Sequence, residues 1–211
     1  VGKSEDAACR LLGDIQAELE YNDRLKRDFG EQKPAGGDWT DGEFKANCGV
    51  KFLACGRGQS PRGLRDREAR PDYIVIDDLD DDELCKNKKR VRELTSWVKS
   101  ALFGSLDVGR GRFIMVGNLI SKNSVLYNIA NTKGVFLSKV YAVDKNGDPV
   151  WKEKWTREEV DAYREFVGYR DWNKEMMHNP IIDGSIFRHE WIKYKRMPKL
   201  TKYDALVCYT D

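Results

Sequence analysis

The chain of 211 residues lacks most of the features that assign a protein quickly. It has almost no net charge: 37 basic and 35 acidic side chains leave +2. Any nucleic-acid surface must therefore be a local patch, because the bulk field is close to neutral. Its five cysteines, Cys9, Cys48, Cys55, Cys85 and Cys208, are scattered and form no C-x-x-C pair. An odd, unpaired set without a secretory leader reads as reduced thiols in a cytoplasm. The only histidines, His178 and His189, do not pair with cysteine at zinc spacing, which excludes the common zinc modules. No apolar run approaches the roughly 18 residues of a membrane span, and "VGKSEDAACR" has no apolar signal core. Internal repeats, low-complexity segments and the D-x-D-x-D-G spacing of an EF-hand are also missing. So is a starting Met, and the terminal "LVCYTD" reads like a strand stopped midway. The expectation is a piece of something longer.

What is there reads as soluble and globular, with 40% hydrophobic and 34% charged residues. The length suits one domain with a sizeable core, or one plus a fragment. Ala8, Leu11, Leu12, Ile15, Leu19 and Leu25 recur at helical spacing, which predicts a helix from Glu5 to about Phe29 started by Ser4. "PAGGDWTDGE" predicts a loop. "EFKANCGVKFLACG" predicts two short strands around a turn near Asn47 to Gly49. "RGQSPRGLRDREARP" is basic and Gly-rich, and reads as a loop. A second helix fits from about Leu84 to Phe103, a buried strand from Phe113 to Val116, and a helix near Ser124 to Ala130. "VFLSKVYAV" reads as a further strand before the turn "DKNGDP", and T-x-x-E at Thr156 opens a helix to about Val167. After Asp171 regularity fades into a polar stretch holding Trp172, Met176, Met177, Pro180, Phe187, Trp191 and Tyr194, like a linker that packs on something. Strands alternating with helices predict an α/β sheet with parallel strands.

The most informative stretch is "PDYIVIDDLDDDE". Four apolar residues, Tyr73 to Ile76, run into six carboxylates in the seven positions Asp77 to Glu83. Ligands of open α/β sheets sit at the carboxyl ends of strands. An apolar strand ending in Asp77-Asp78 has the form of a Walker B motif. Its first acid holds Mg²⁺ beside a nucleotide's phosphates, and its second orients or activates the attacking water. Hard carboxylate oxygens suit Mg²⁺, and the cation offsets their repulsion. Asp80 to Glu83 fit the start of a helix, where acids favour the dipole. A solvated acidic turn after an ordinary core strand remains the competing reading. "GKS" at Gly2 to Ser4 matches only the end of the phosphate loop G-x-x-x-x-G-K-[ST], whose upstream part the sequence does not contain.

These residues resemble the large terminase subunit of tailed bacteriophages, the motor that packages DNA into procapsids, and the resemblance covers nearly the whole chain. "VGKSEDAACRLLGDIQAELEYNDRLKRDFG" is similar to the segment after that ATPase's second strand, so "GKS" falls just past a strand and outside the phosphate loop. "NCGVKFLACGRGQSPRGLRDREARPDYIVIDDLDDDE" resembles the hairpin, Arg-Gly element and Walker B strand. "GRFIMVGNLISKNSVLYNI" resembles the strand and polar turn of the coupling motif. "FVGYRDWNKEMMHNPIIDGSIFRHEWIKYKRMP" resembles the linker to the nuclease, and "YDALVCYTD" the first strand of that RNase H-like domain.

The resemblance implies a P-loop NTPase-type α/β fold, with a mostly parallel sheet flanked by helices, incomplete at the N-terminus. Residues 1–170 would be a partial ATPase domain, 171–203 the linker and 204–211 the first nuclease strand. Asp77 matches the Mg²⁺-associated acid. Asp78 matches the catalytic carboxylate, where many relatives carry Glu. Gly117 and Asn118 match the coupling turn, where many have Gly-Thr. Arg62 matches an arginine finger toward a neighbouring subunit's nucleotide, with Arg65 and Arg67 as competitors. Asp211 matches the first metal-binding acid of the nuclease. The implied cofactors are ATP and Mg²⁺, with a divalent metal for the nuclease. The implied partners are double-stranded DNA, the portal protein, the small terminase subunit and further copies in a ring, all in the cytoplasm of a bacterial host. Surface charge unrelated to phosphate is the other reading of Arg62. The run Lys86, Lys88, Lys89, Arg90, Arg92 fits either DNA phosphates or a solvated helix face. Another P-loop motor such as a helicase, and a non-catalytic binding module, stay open.

Overall fold

The computed structural model describes residues 1–37, 39–60 and 70–181. Two compact units divide the chain, Val1–Ile181 and Ile182–Asp211.

The architecture is mixed α/β, with a three-stranded antiparallel sheet and a two-stranded parallel one. The chain opens with helix α1, Glu5–Tyr21, capped by Ser4, whose hydroxyl accepts from the Ala7 N–H. The single helix expected to Phe29 is two. Asn22 leaves helical conformation at ψ 106, and its side chain caps α2, Asp23–Phe29, by accepting from Arg24 and Leu25. An Asn carbonyl competes for backbone amides and so favours a cap over a helix interior.

Strands β1 (Trp39–Thr40), β2 (Glu43–Lys45) and β3 (Lys51–Leu53) form the antiparallel sheet in the order β1-β2-β3. The expected hairpin is β2–β3, with its turn closed by Ala46 and Val50. β1 falls inside the stretch read as a loop. It is held there by Trp39 against Phe44, which stacks in turn on Phe52.

β4 (Tyr73–Asp77) and β5 (Arg112–Val116) pair in parallel, with Asp77 opposite Val116. Val1 extends this ladder on the far side of β4: its nitrogen donates to Val75 at 2.7 Å and its carbonyl accepts from Asp77 at 2.9 Å. Gly2 pairs in parallel with Gly56. A Cβ on Gly56 would lie 2.6 Å from the Glu5 nitrogen, so only glycine admits the start of α1 at this distance.

The main core lies on one face of the parallel pair. Ile74 and Ile76 of β4, with half-buried Phe113 and Met115 of β5, face Leu79, Leu84, Val91, Val98, Leu102, Leu106, Val125 and Ile129. Leu79 lies in the turn after β4, and the others come from helices α3 (Asp82–Lys86), α4 (Lys88–Trp97) and α5 (Val125–Ala130), and from the turns after α4. The helix expected from Leu84 to Phe103 is therefore broken. Asn87 stops α3 and caps α4 by accepting from Lys89 and Arg90. Beyond Trp97 the chain widens to a π turn at Val98–Leu102 and tightens to a 3₁₀ turn at Phe103–Ser105.

The stretch "VFLSKVYAV" is not a strand. Phe136 is 91% exposed, and the only ladder contact there is an isolated bridge between Val143 and Pro149. Apolar alternation does not make a strand where the neighbours offer only scattered hydrogen bonds, here to Val140 and Ala142, and no continuous ladder. Helix α6, Arg157–Asp171, starts with the expected capping box of Thr156 and Glu159 and kinks at Gly168, where φ is 78°. It leads into a π turn at Trp172–Met176 that buries Trp172.

Candidate functional site

The carboxyl ends of β4 and β5 bring together four of the six site residues expected from sequence. Asp77 ends β4, half-buried, and its backbone is fixed on both sides by Val1 and by the pairing with β5. Asp78 follows with φ 46°, a left-handed conformation uncommon for any residue with a Cβ. Its N–H donates to Val116 at 3.2 Å, so the strained residue is tied to the end of the neighbouring strand. Gly117 comes next on β5, and a Cβ there would lie 3.5 Å from Asp78 Oδ1. The Asn118 amide donates to Glu175 Oε2 at 3.1 Å. Arg62, its competitors Arg65 and Arg67, and Asp211 lie outside the described residues, as do His189, Phe187, Trp191 and Tyr194.

The acidic run divides into two groups by what each carboxylate touches. Asp80 accepts from the Val125 and Leu126 N–H groups, both at 2.8 Å, and so holds the start of α5 beside β4. Burial pushes its carboxyl above the ordinary range, against the pull of those two amides. Asp81 caps α3 through the Leu84 N–H at 2.7 Å and pairs with Arg57 at 2.6 Å. Burial opposes its ionisation, but Leu84 and Arg57 outweigh it and hold the carboxyl below its ordinary value. Asp82 pairs with Lys174 at 2.6 Å. Asp77, Asp78 and the exposed Glu83 make no side-chain hydrogen bond or ion pair with any described residue, and the Val1 ammonium is the positive charge acting on Asp77.

The expected helix start at Asp80 to Glu83 is thus Asp81 as cap with Asp82 and Glu83 in the first turn, while Asp80 serves a different helix. Sequence reasoning missed Arg57, Lys174 and Glu175. The only local trace was their charge.

His178, expected on a linker surface, is engaged. Its Nδ1 accepts from the Leu119 N–H at 3.4 Å, and its Nε2 faces the Val140 carbonyl at 3.0 Å, which fixes the proton on Nε2. The π turn after α6 and the residues just beyond it therefore hold the segment leaving β5 at two points, Asn118 through Glu175 and Leu119 through His178. The basic run Lys86, Lys88, Lys89, Arg90, Arg92 is wholly exposed, with Lys89 3.9 Å from Glu93 one helical turn on.

"GKS" forms no anion cradle. Val1 and Gly2 are in extended pairing, the Ser4 hydroxyl caps α1, and the Gly2 N–H donates to Cys55. Among the described residues no group of three or more His, Cys, Asp or Glu converges on one point. Asp77 and Asp78 thus fit Mg²⁺ only in the manner in which water and phosphate oxygens supply most of the ligands. No helix among the described residues is long and apolar enough to cross a membrane. No family model, no curated protein and no solved structure matches the chain.

Proposed function

We propose that this chain is the central part of a DNA-packaging motor subunit of the terminase large-subunit kind. In this reading it carries the Mg²⁺-associated and water-activating acids of a P-loop ATPase. One observation carries the reading: Asp80, Asp81 and Asp82 hold hydrogen-bond or ion-pair partners and Glu83 is exposed in the first turn of α3, while the adjacent pair at the strand end, Asp77 and Asp78, makes no side-chain hydrogen bond or ion pair with a described residue. Like charges side by side without a partner are unfavourable, and a divalent cation removes the cost. Asp77 is the rigid Mg²⁺ anchor. Asp78 is the base or orienter, aimed from a left-handed residue toward Gly117. Asn118 is placed to hydrogen-bond a γ-phosphate or the attacking water, and its link to Glu175 gives the ATP state a route to the π turn after α6.

The phosphate loop that the reaction requires is not in these 211 residues. In the proposal it comes from chain upstream, and Arg62 is the finger toward a neighbouring subunit in a ring. Double-stranded DNA, a portal and a small terminase subunit are the partners, and Asp211 begins a two-metal nuclease.

The test is Mn²⁺ as a paramagnetic stand-in for Mg²⁺, added to the chain with ATP and followed by amide NMR. Broadening centred on Asp77, Asp78, Gly117 and Asn118 and lost in Asp77→Asn supports the reading. Broadening centred on Asp80 to Asp82, or unchanged in Asp77→Asn, overturns it in favour of the solvated acidic turn.

A further inference from the structure

A cavity of about 290 Å³ is lined at one end by Asn118 and Glu175, while its other walls play no part in the reading above. Its walls mix aromatic and aliphatic side chains. Trp172, only 3% exposed, meets Tyr163 edge-on at 6.3 Å, and Tyr163 lies 5.9 Å from Trp155. Trp151, 60% exposed, lines the same cavity. The Lys154 ammonium stands 4.9 Å from the Trp151 ring centre and 5.9 Å from that of Trp155. Lys154 has no carboxylate partner among the described residues. At one end are Asn118 and the Glu175 carboxylate, which accepts from Asn118 and pairs with Lys174.

The volume sits at the small end of ligand pockets, which span roughly 300–1,000 Å³. It suits one ring system with a substituent and excludes a polymer. Indole and phenol faces stack on any flat ring. An aromatic cage of this kind also takes a cation, but here the protein's own ammonium already holds that position. A second cation is repelled by it, whereas an anionic group is drawn to Lys154, the Glu175 carboxylate of the same cavity being already paired with Lys174 at 3.4 Å.

We propose that this cavity binds a flat heteroaromatic ring carrying an anionic group, and that the occupant is a nucleotide. Its base displaces the Lys154 ammonium from Trp151 and Trp155, and its phosphate pairs with that ammonium. The ring-plus-anion chemistry follows from the cavity alone. The choice of a nucleotide over other aromatic anions rests on the ATP reading.

The test is tryptophan fluorescence of the chain titrated with AMP in EDTA, which removes any metal-dependent contribution from Asp77 and Asp78. AMP quenches saturably, adenosine binds at least about fivefold more weakly, and ribose 5-phosphate does not quench. Trp151→Ala weakens AMP about tenfold, the loss of one base–aromatic stack. Lys154→Gln removes the preference for AMP over adenosine. Both side chains are exposed, so unchanged melting temperatures show the variants intact. AMP affinity unaffected by both substitutions, or ribose 5-phosphate matching AMP, overturns the proposal. Indole-3-acetate binding where AMP does not overturns the nucleotide assignment. A result here is separable from failure of the ATPase reading, because no metal is present.

Discussion

The backbone N–H of Asp78 donates to the carbonyl of Val116 at 3.2 Å, so the residue after β4 is tied to the last residue of β5. That bond holds an aspartate at φ 46°. Left-handed backbone costs on the order of 1–3 kcal/mol for a residue with a Cβ, and least for Asp and Asn. Asp78→Asn should therefore leave the urea midpoint nearly unchanged. Asp78→Val should lower stability by about 1–2 kcal/mol, because a branched side chain fits this region worst. Equal stability of the two variants would show that the left-handed conformation is not held in solution.

Asp80 accepts two N–H groups at the start of α5. Asp80→Ala leaves both without an acceptor and should cost about 1–2 kcal/mol at pH 7, read by chemical denaturation. Hydrogen exchange should accelerate at Val125 and Leu126 first.

Acid dependence separates Asp80 from its neighbour. Asp81 is held below its ordinary value, so its contribution is present above the unfolded value of about 3.9 and fades as pH falls through the folded one. Asp80 is raised, so ionising it costs stability as pH climbs from that unfolded value through its folded value. Arg57→Ala removes part of Asp81's depression. The drop in stability between pH 6 and pH 3 should become smaller in this variant. A drop of unchanged size would show that the Arg57 pair does not persist in solution.

Cys85 offers a check on packing around the acidic run. Burial, followed by the charges of Asp80, Asp82 and Asp81, pushes its thiol up to about 12. At pH 9 only about one thiol in a thousand is then ionised, and the thiolate is the reactive form. Alkylation followed by mass spectrometry should label exposed Cys48 readily and leave Cys85 unmodified until the protein unfolds. Rapid native labelling of Cys85 would mean that α3 opens easily.

Much of the local structure was legible in the sequence, because its causes are local. The apolar run to Ile76, the hairpin around Asn47, the Ser4 cap and the Thr156–Glu159 box each depend on residues a few positions apart. The breaks at Asn22 and Asn87 were hidden because apolar periodicity continues across them while a side-chain amide takes the backbone bonds. "VFLSKVYAV" has a strand's composition but only one isolated bridge, and composition cannot supply a continuous ladder. Asp77 and Asp78 could be picked out as a strand-end pair. Their separation from the other acids could not, since the deciding partners lie far along the chain: Arg57 is 24 residues from Asp81, Val125 is 45 from Asp80, and Lys174 is 92 from Asp82.

The central claim is that Asp78 serves ATP hydrolysis in a larger motor. The direct measurement is Mg²⁺-dependent phosphate release, made on this 211-residue chain and on the full-length protein that the proposal requires. The chain alone should show no turnover above an Asp78→Ala control, because it contains no G-x-x-x-x-G-K-[ST] loop. The full-length protein should turn over ATP, and Asp78→Asn should lower kcat by about 10²–10⁴-fold, the usual contribution of a positioned base, with nucleotide binding retained. Full-length protein that hydrolyses ATP equally well with Asn at this position, or that does not hydrolyse it at all, would contradict the account.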